Sequence, residues 1–449
     1  MIFTKDKSFY KSLILLALPI ALQNLLTFSV TLADSVMIGQ LGDSAVSGVY
    51  MGSQIQTLMQ VFTAGIEGAM LILSTQYWGK RDTDSIKKIT SIGLRFALIF
   101  SVAVAVICAI FPSFVISLFT SDKSIIEAGT PYLRIISFSF PLFALTQGFI
   151  ASMRSVECPK IGMLVSLISL ITNVTLNYIL IFGKLGFSAL GVSGAAIATL
   201  IARVLELAVI AVYVLIIDKK LTFRPKDLLS FDRALLRDFI KYGLPVMAGQ
   251  IVWAVNTLSS SAIMGRQSAE GVVAALSLAN TLNSLAYVVM NGMSGAVGII
   301  TGKTIGEGKL EKIKEYAYTT QIIFLGLGIL TGGALQLIKN PFISLYKISD
   351  SAVAVAKTLI NVLSVTIIGT CYQAACLFGL VKSGGDVSFV FKNDCIFVFL
   401  VVIPSALIAT RLGALPWIVF LCLKSDQILK CFVAAVKINK FNWIKKLTR

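Results

Sequence analysis

The sequence predicts an all-α polytopic membrane protein: about twelve transmembrane helices arranged as two parallel-repeat six-helix lobes. Three observations lead there: an apolar composition, basic residues that alternate between gaps, and a chain that aligns with itself. Of 449 residues, 56% are hydrophobic and 14% charged, whereas a soluble domain carries about 25% charged residues. Such a chain lacks the polar surface to stay in water. Its net charge of +17 comes from basic residues set between apolar runs, which reads as membrane topology and not as nucleic-acid recognition.

The apolar runs come in order at 13–37, 45–78, 92–119, 130–153, 161–182, 190–217, 237–264, 271–301, 316–338, 353–381, 388–410 and 414–436. Each is long enough for a span of roughly 20 residues. The run that starts after Lys11 continues to Met37, too long for the core of a cleaved signal peptide. With both termini placed in the cytoplasm, 30 of the 39 Lys and Arg fall on the cytoplasmic side, as the positive-inside rule expects. That tally includes Arg154, Lys382, Lys424 and Lys430. The longest polar break, near the middle of the chain, reads as a solvated cytoplasmic linker. The expected division is therefore a lobe over 1–217, a linker over 218–236 and a second lobe over 237–449, ending in a basic tail.

Shifted by about 226 residues, the chain aligns with itself. LALPIALQ at 16–23 lies over KYGLPVMAG at 241–249, so that Pro19 meets Pro245, and Gly39 likewise meets Gly265. Six spans per half is an even number, so both halves insert in the same sense. Parallel repeats of that kind are a recurrent plan among secondary transporters, with the substrate bound between the lobes.

Few ionisable groups lie within the apolar runs. Asp34 sits in the first, 15 residues after Pro19. An acid at mid-bilayer costs about 2.5–3.5 kcal/mol on insertion scales and is by default functional. A proton or a sodium ion would neutralise it. Gln23, Thr27, Thr31 and Asp34 fall on one helical stripe, and Pro19 lets that helix bend. Glu67 in the second run is a further acid, with coupling and a merely water-facing position equally open. Arg203 and Glu206, three residues apart, should pair with each other. In the second half, Gln250, Trp253 and Asn256 make one polar or amphipathic stripe, and Asn280, Asn283, Tyr287 and Asn291 make another. Such stripes line a cavity or join helices. Met290, with Trp253, would suit an adaptable substrate cavity. Seven scattered cysteines without CxxC spacing read as reduced thiols, and the absence of histidine leaves no expected metal site.

These residues resemble the multidrug and toxic compound extrusion family of transporters, most closely its DNA-damage-inducible bacterial branch. The resemblance is carried by LALPIALQ, LADSVMIGQLG at 32–42, QYWGK at 76–80, MRSVECPKIGM at 153–163, TNVTLNYILIFGKLGF at 172–187, GVSGAAIATLIARVLE at 191–206, YGLPV at 242–246 and KSGGD at 382–386. It implies efflux of drugs driven by proton or sodium entry, with Asp34 as the first-helix coupling acid. It also implies that Asn173 and Thr199 help to form the cation site. Some members carry an aspartate where this chain has Asn177, and a seventh-helix glutamate where it has Gln250. The expected site is therefore a single carboxylate among amides and hydroxyls: Asp34, Asn173, Asn177, Thr199, Gln23 and Thr31.

The expectation that follows is a multi-pass protein of the cell membrane that exchanges H+ or Na+ for amphipathic, often cationic, small molecules. It would act as a monomer in membrane lipid, with no cofactor beyond the coupling ion and no nucleic-acid partner. The rival reading is a flippase for lipid-linked precursors, which would need a cationic interior. A membrane-embedded enzyme is disfavoured by the lack of histidine and of a carboxylate pair within a span.

Overall fold

The structure is a computed structural model that describes residues 3–267, 271–346 and 348–449, without the side chains at 43 and 44. Its ordered elements are helices: α1 (Lys7–Ile38), α2 (Asp43–Gly79), α3 (Thr83–Ile110), α4 (Pro112–Ser117), α5 (Lys123–Ile136), α6 (Ser139–Ser155), α7 (Lys160–Phe182) and α8 (Gly191–Val212). They continue with α9 (Arg233–Gly265), α10 (Val272–Gly306), α11 (Leu310–Ser344), α12 (Asp350–Gln373), α13 (Val387–Phe397), α14 (Ile403–Arg411), α15 (Pro416–Leu423) and α16 (Ser425–Asn439). Short π-helical stretches extend α8 and α12 and join α13 to α14.

Among the described residues, nine helical segments are long and apolar enough to cross a membrane. The pair α5 and α6, bent by 48°, makes a tenth if counted as one span. The protein is thus an all-α polytopic membrane protein. The expected seventh span is α9, which is long enough but is made more polar by Gln250, Asn256 and the serines after Leu258. The expected twelfth is divided. Lys424 leaves helical geometry at φ −106°, ψ 5°, so α15 and α16 are each too short alone.

The chain forms two compact units, one of Met1–Ala21 with Leu244–Arg449, the other of Leu22–Gly243. The dividing points lie within α1 and α9, each within two residues of its internal proline, Pro19 or Pro245. Sequence spacing explains why the start of α1 joins the later residues. Phe9, Leu13, Leu16, Ala17 and Ile20 form one helical stripe, buried in a core with residues of α10, α11 and α16. Phe9 stacks on Tyr316 with ring centroids 4.5 Å apart. Asp6 accepts from Lys312 Nζ at 2.7 Å and from Tyr316 Oη at 2.9 Å.

In the unit Leu22–Gly243 the crossing of α7 and α8 sets the polar site. α7 ends at Gly183 in the left-handed region (φ 65°), a conformation that glycine adopts without steric penalty. The chain then returns so that Leu190 N–H donates to the Leu180 carbonyl at 2.9 Å. Gly194 packs on the same carbonyl, and a Cβ there would stand 2.6 Å from its oxygen. Backbone on both sides leaves nothing flexible to yield. Gly194→Val is therefore expected to part the two helices and cost about 1–3 kcal/mol or more, read as a fall in melting temperature in detergent. Gly249→Ala is the control, because nothing lies within 4 Å of its Cβ position.

The segment after α8 is tied down and not a free tether. Leu221 and Phe223 are fully buried, and Phe149 meets the Phe223 ring edge-on. From α3, Ser91 Oγ and Arg95 Nη2 each donate to the Leu228 carbonyl at 2.7 Å. Local polar residues thus bind this segment to α3 within the unit Leu22–Gly243.

Candidate polar site in the unit Leu22–Gly243

Three helices supply one chain of hydrogen bonds. Asn173 and Asn177 lie on α7 four residues apart, on one face. Asn177 Nδ2 donates to Asn173 Oδ1 at 3.0 Å and also to Asp34 Oδ1 of α1. Asn173 Nδ2 donates onward to Thr199 Oγ1 of α8 at 3.2 Å. Asn173 and Asn177 are 1% and 0% exposed, so their amides have no competing water. Asn177 Oδ1 is enclosed and accepts nothing. A buried acceptor without a donor is costly, and beside a carboxylate it offers a second oxygen to a cation.

The surroundings add charge and one aromatic hydroxyl. The guanidinium of Arg203 on α8 lies 4.8 Å from the centroid of Phe143. Arg203 Nη1 donates to both Glu206 oxygens at 2.7 and 2.8 Å, the ion pair expected from their spacing. Tyr132 of α5 is buried in a core with Ile181 of α7 and Ala195 of α8. Sequence reasoning passed over it, because a tyrosine in an apolar run looks like packing.

The other expected site residues fall elsewhere. Gln23 is buried apart from the amide chain and accepts from Arg154 Nη2 at 2.8 Å. Thr31 is exposed, and its hydroxyl bonds back to the Thr27 carbonyl at 3.3 Å. Pro19 lies inside an unbroken α1.

In the other unit the residues expected to line a substrate cavity separate into kinds. Met290 is 3% exposed within an apolar core, and the half-buried Tyr287 packs partly against that core. Trp253 is 54% exposed, and Asn280 and Asn291 are also exposed. Gln250, Asn256 and Asn283 are half-buried. Asn256 Oδ1 and Asn283 Oδ1 are enclosed without a hydrogen-bond partner, which leaves two amide oxygens in need of a donor.

One ionic centre was missed altogether. Lys430 of α16 is 5% exposed and bridges Asp394 of α13 at 2.9 Å and Asp426 of α16 at 3.0 Å. The centre thus joins two carboxylates on one buried ammonium, and leaves untouched the expectation of no carboxylate pair within a single span. Its two acids come from separate helices, so a reading of each run alone cannot find them. Asp426 stands in the first turn of α16, opened by the break at Lys424, where a helix start favours an anion.

Membrane-crossing helices that hold a carboxylate and its amide partners inside the bundle have the make-up of a secondary transporter. The chain belongs to the MatE family, whose model matches residues 19–179 and 245–408. It is 26% identical over 400 residues to a probable multidrug resistance protein NorM of Photorhabdus laumondii, covering 88% of this chain and 86% of that one. With the probable multidrug resistance protein YoeA of Bacillus subtilis it shares 24% identity over 364 residues, 79% of this chain and 77% of the relative. Solved structures agree on the fold. The Vibrio cholerae MATE transporter VcmN in its bent form superposes with a TM-score of 0.85 at 18% identity, covering 96% of this chain and 97% of that one. A MOP superfamily transporter from Pyrococcus furiosus gives 0.85 at 19% identity, covering 97% and 98%. The protein is a membrane transporter and not an enzyme.

Proposed function

We propose that this transporter is a cation-coupled antiporter that exports amphipathic, often cationic, organic compounds by alternating access. Its coupling site is Asp34 with Asn177, Asn173 and Thr199. The observation that carries this reading is the bonding of the Asp34 carboxylate to a buried chain of amides, beside an amide oxygen that has no donor. A cation that binds there changes the charge of α1 at a point where α1 is attached to α7. Pro19 then lets the helix respond. The names of the relatives, multidrug resistance proteins, support the substrate class.

The same reading takes in twelve spans in two six-helix lobes, 1–217 and 237–449, joined by 218–236, with both termini cytoplasmic and the chain acting as a monomer. Within the family it places the chain in the DNA-damage-inducible branch, on the sequence blocks quoted above. Gln250, Trp253, Asn256, Asn280, Asn283, Tyr287 and Asn291 are proposed as substrate contacts, with Met290 as their packing support. Export of a lipid-linked pyrophosphate would call for several cations free to meet it, whereas Arg203 and Lys430 are paired with carboxylates and Arg154 donates to Gln23.

Dye efflux from reconstituted vesicles tests the function. An imposed pH gradient, or an imposed Na+ gradient, should drive a cationic dye against its concentration, and whichever succeeds identifies the ion. Failure of both gradients to move any cationic or neutral amphipathic dye contradicts the reading.

A further inference from the structure

The segment between α8 and α9 is held at a definite level along its unit, and three helices mark that level. Arg95 Nη2 of α3 donates to the Leu228 and Ser230 carbonyls at 2.7 and 3.2 Å, and Ser91 Oγ lies 2.7 and 3.1 Å from the same two. On α3 the large apolar side chains before Arg95, namely Ile86, Ile89, Ile92 and Leu94, are buried. Exposed ones begin directly after it at Phe96 and recur through Ile99 and Val102 to Ile110. On a helix that crosses a membrane such a face meets hydrocarbon, so Phe96 marks its edge. Phe96 stacks on Phe239 of α9 with ring centroids 5.8 Å apart, and the exposed large apolar side chains of α9 begin at Ile240. The extension of α8 ends on exposed Ile216 and Ile217, just before Asp218.

At this edge the segment turns apolar side chains outward. Leu229 lies between the two held carbonyls and is 82% exposed, and Phe231 is 56% exposed. The backbone that presents them is a 3-10 turn, Pro225–Leu229, in which Asp227 Oδ2 accepts from the Arg224 N–H at 2.8 Å. Arg224 and Lys226 stand at its start, and Arg233 and Arg237 lie one helical turn apart at the start of α9; all four are exposed. Arg237 and Arg233 precede Phe239 by two and six residues, about 3 and 9 Å along the axis at 1.5 Å per residue, which sets them on the polar side of the edge. The acids of the stretch are turned inward. Asp218 accepts from Leu221 N–H at 2.8 Å, Asp227 lies 3.8 Å from Lys87, Asp232 lies 3.6 Å from Lys88 and caps α9, and Asp238 is half-buried. The outward surface is therefore apolar and cationic at once. Water suits neither Leu229 nor Phe231, whereas a leaflet with anionic headgroups suits both kinds of side chain.

We propose that this segment and the start of α9 form a binding surface for anionic phospholipid. Leu229 and Phe231 enter the leaflet at the level of Phe96, and Arg224, Lys226, Arg233 and Arg237 meet the headgroup phosphates. The occupant is lipid and not free phosphate, because phosphate has no use for the two apolar side chains. The stretch expected from the sequence to be a solvated linker is thus an in-plane anchor, and lipid charge sets how firmly the connection from α8 to α9 is held. The inference stands apart from the exporter reading, since lipid binding is measured without transport.

Two measurements on the full-length protein test it. Leu229→Trp and Phe231→Trp are each reconstituted in vesicles of equal parts phosphatidylcholine and phosphatidylglycerol, and their fluorescence is compared with wild type. The added tryptophan should be quenched by lipids brominated high on the acyl chain and shielded from aqueous acrylamide. Quenching by acrylamide alone would place the segment in water and overturn the proposal, and quenching by neither would mean cover by protein and overturn it too. In detergent, native mass spectra should show wild type retaining phosphatidylglycerol over phosphatidylcholine. The variant that combines Arg224→Gln, Lys226→Gln, Arg233→Gln and Arg237→Gln should lose that preference at an unchanged melting temperature, and lysine at the three arginine positions should keep it. A preference undiminished by the glutamine substitutions overturns the proposal. Inorganic phosphate should displace no more lipid than chloride at equal ionic strength, and greater displacement would mean a free-anion site and also overturn it.

Discussion

Asp34→Asn is expected to abolish gradient-driven dye efflux, to the level of empty vesicles, while the protein remains folded in the membrane. The reasoning rests on what the substitution keeps. Asparagine has nearly the same shape, and its Oδ1 can still accept from Asn177 Nδ2, so the amide chain through Asn173 to Thr199 stays linked. What is lost is the charge, and with it the means to exchange one cation for another. Removal of a charge held among α1, α7 and α8 also relieves an insertion cost of about 2.5–3.5 kcal/mol. The melting temperature in detergent should therefore hold or rise as transport disappears. Efflux and stability falling together would point to a structural role for Asp34 instead.

The second large effect is on stability. Lys430→Ala leaves Asp394 and Asp426 facing each other in the bundle without their shared ammonium. Breaking a buried pair by removing one partner costs about 3–5 kcal/mol, because the remaining charge is uncompensated. Here two acids are left. The expected result is a marked drop in melting temperature in detergent, largely recovered when Lys430→Met is combined with Asp394→Asn and Asp426→Asn. The recovery distinguishes stranded charge from lost packing. Without it, the aliphatic stem of Lys430, not its ammonium, would be what matters.

These two sites were unequally legible in the sequence. Asp34 stood out because an acid inside an apolar run is costly and therefore conspicuous. Its partners Asn173 and Thr199 came from family resemblance and not from residue chemistry, since polar groups of that kind in a membrane helix mostly join helices. The α7–α8 crossing at Gly194 is what brings them into one chain of bonds. Periodicity put Gln23 on one stripe with Asp34, yet its partner is Arg154, a contact 131 residues away in the chain. No spacing rule reaches that far.

Lys430 was hidden for a different reason. Read as a run over 414–436, the last span places Lys430 near its end and among the cytoplasmic cations. The helix break at Lys424 and the carboxylates of two helices make it an interior charge instead. The binding of residues 1–21 to the later part of the chain was also out of reach of a division by apolar runs. It depends on the side of α1 that carries Phe9, Leu13 and Ile20 meeting a core assembled from α10, α11 and α16.

The central claim, that Asp34 trades its coupling ion for the transported compound, is tested most directly by release of that ion. A cationic dye is added to purified protein in weakly buffered detergent, and the change in pH is recorded beside the displacement of radioactive sodium. The account predicts that dye binding releases protons or Na+ from the wild type, and that Asp34→Asn binds dye without releasing either. Equal release from the two proteins would contradict it.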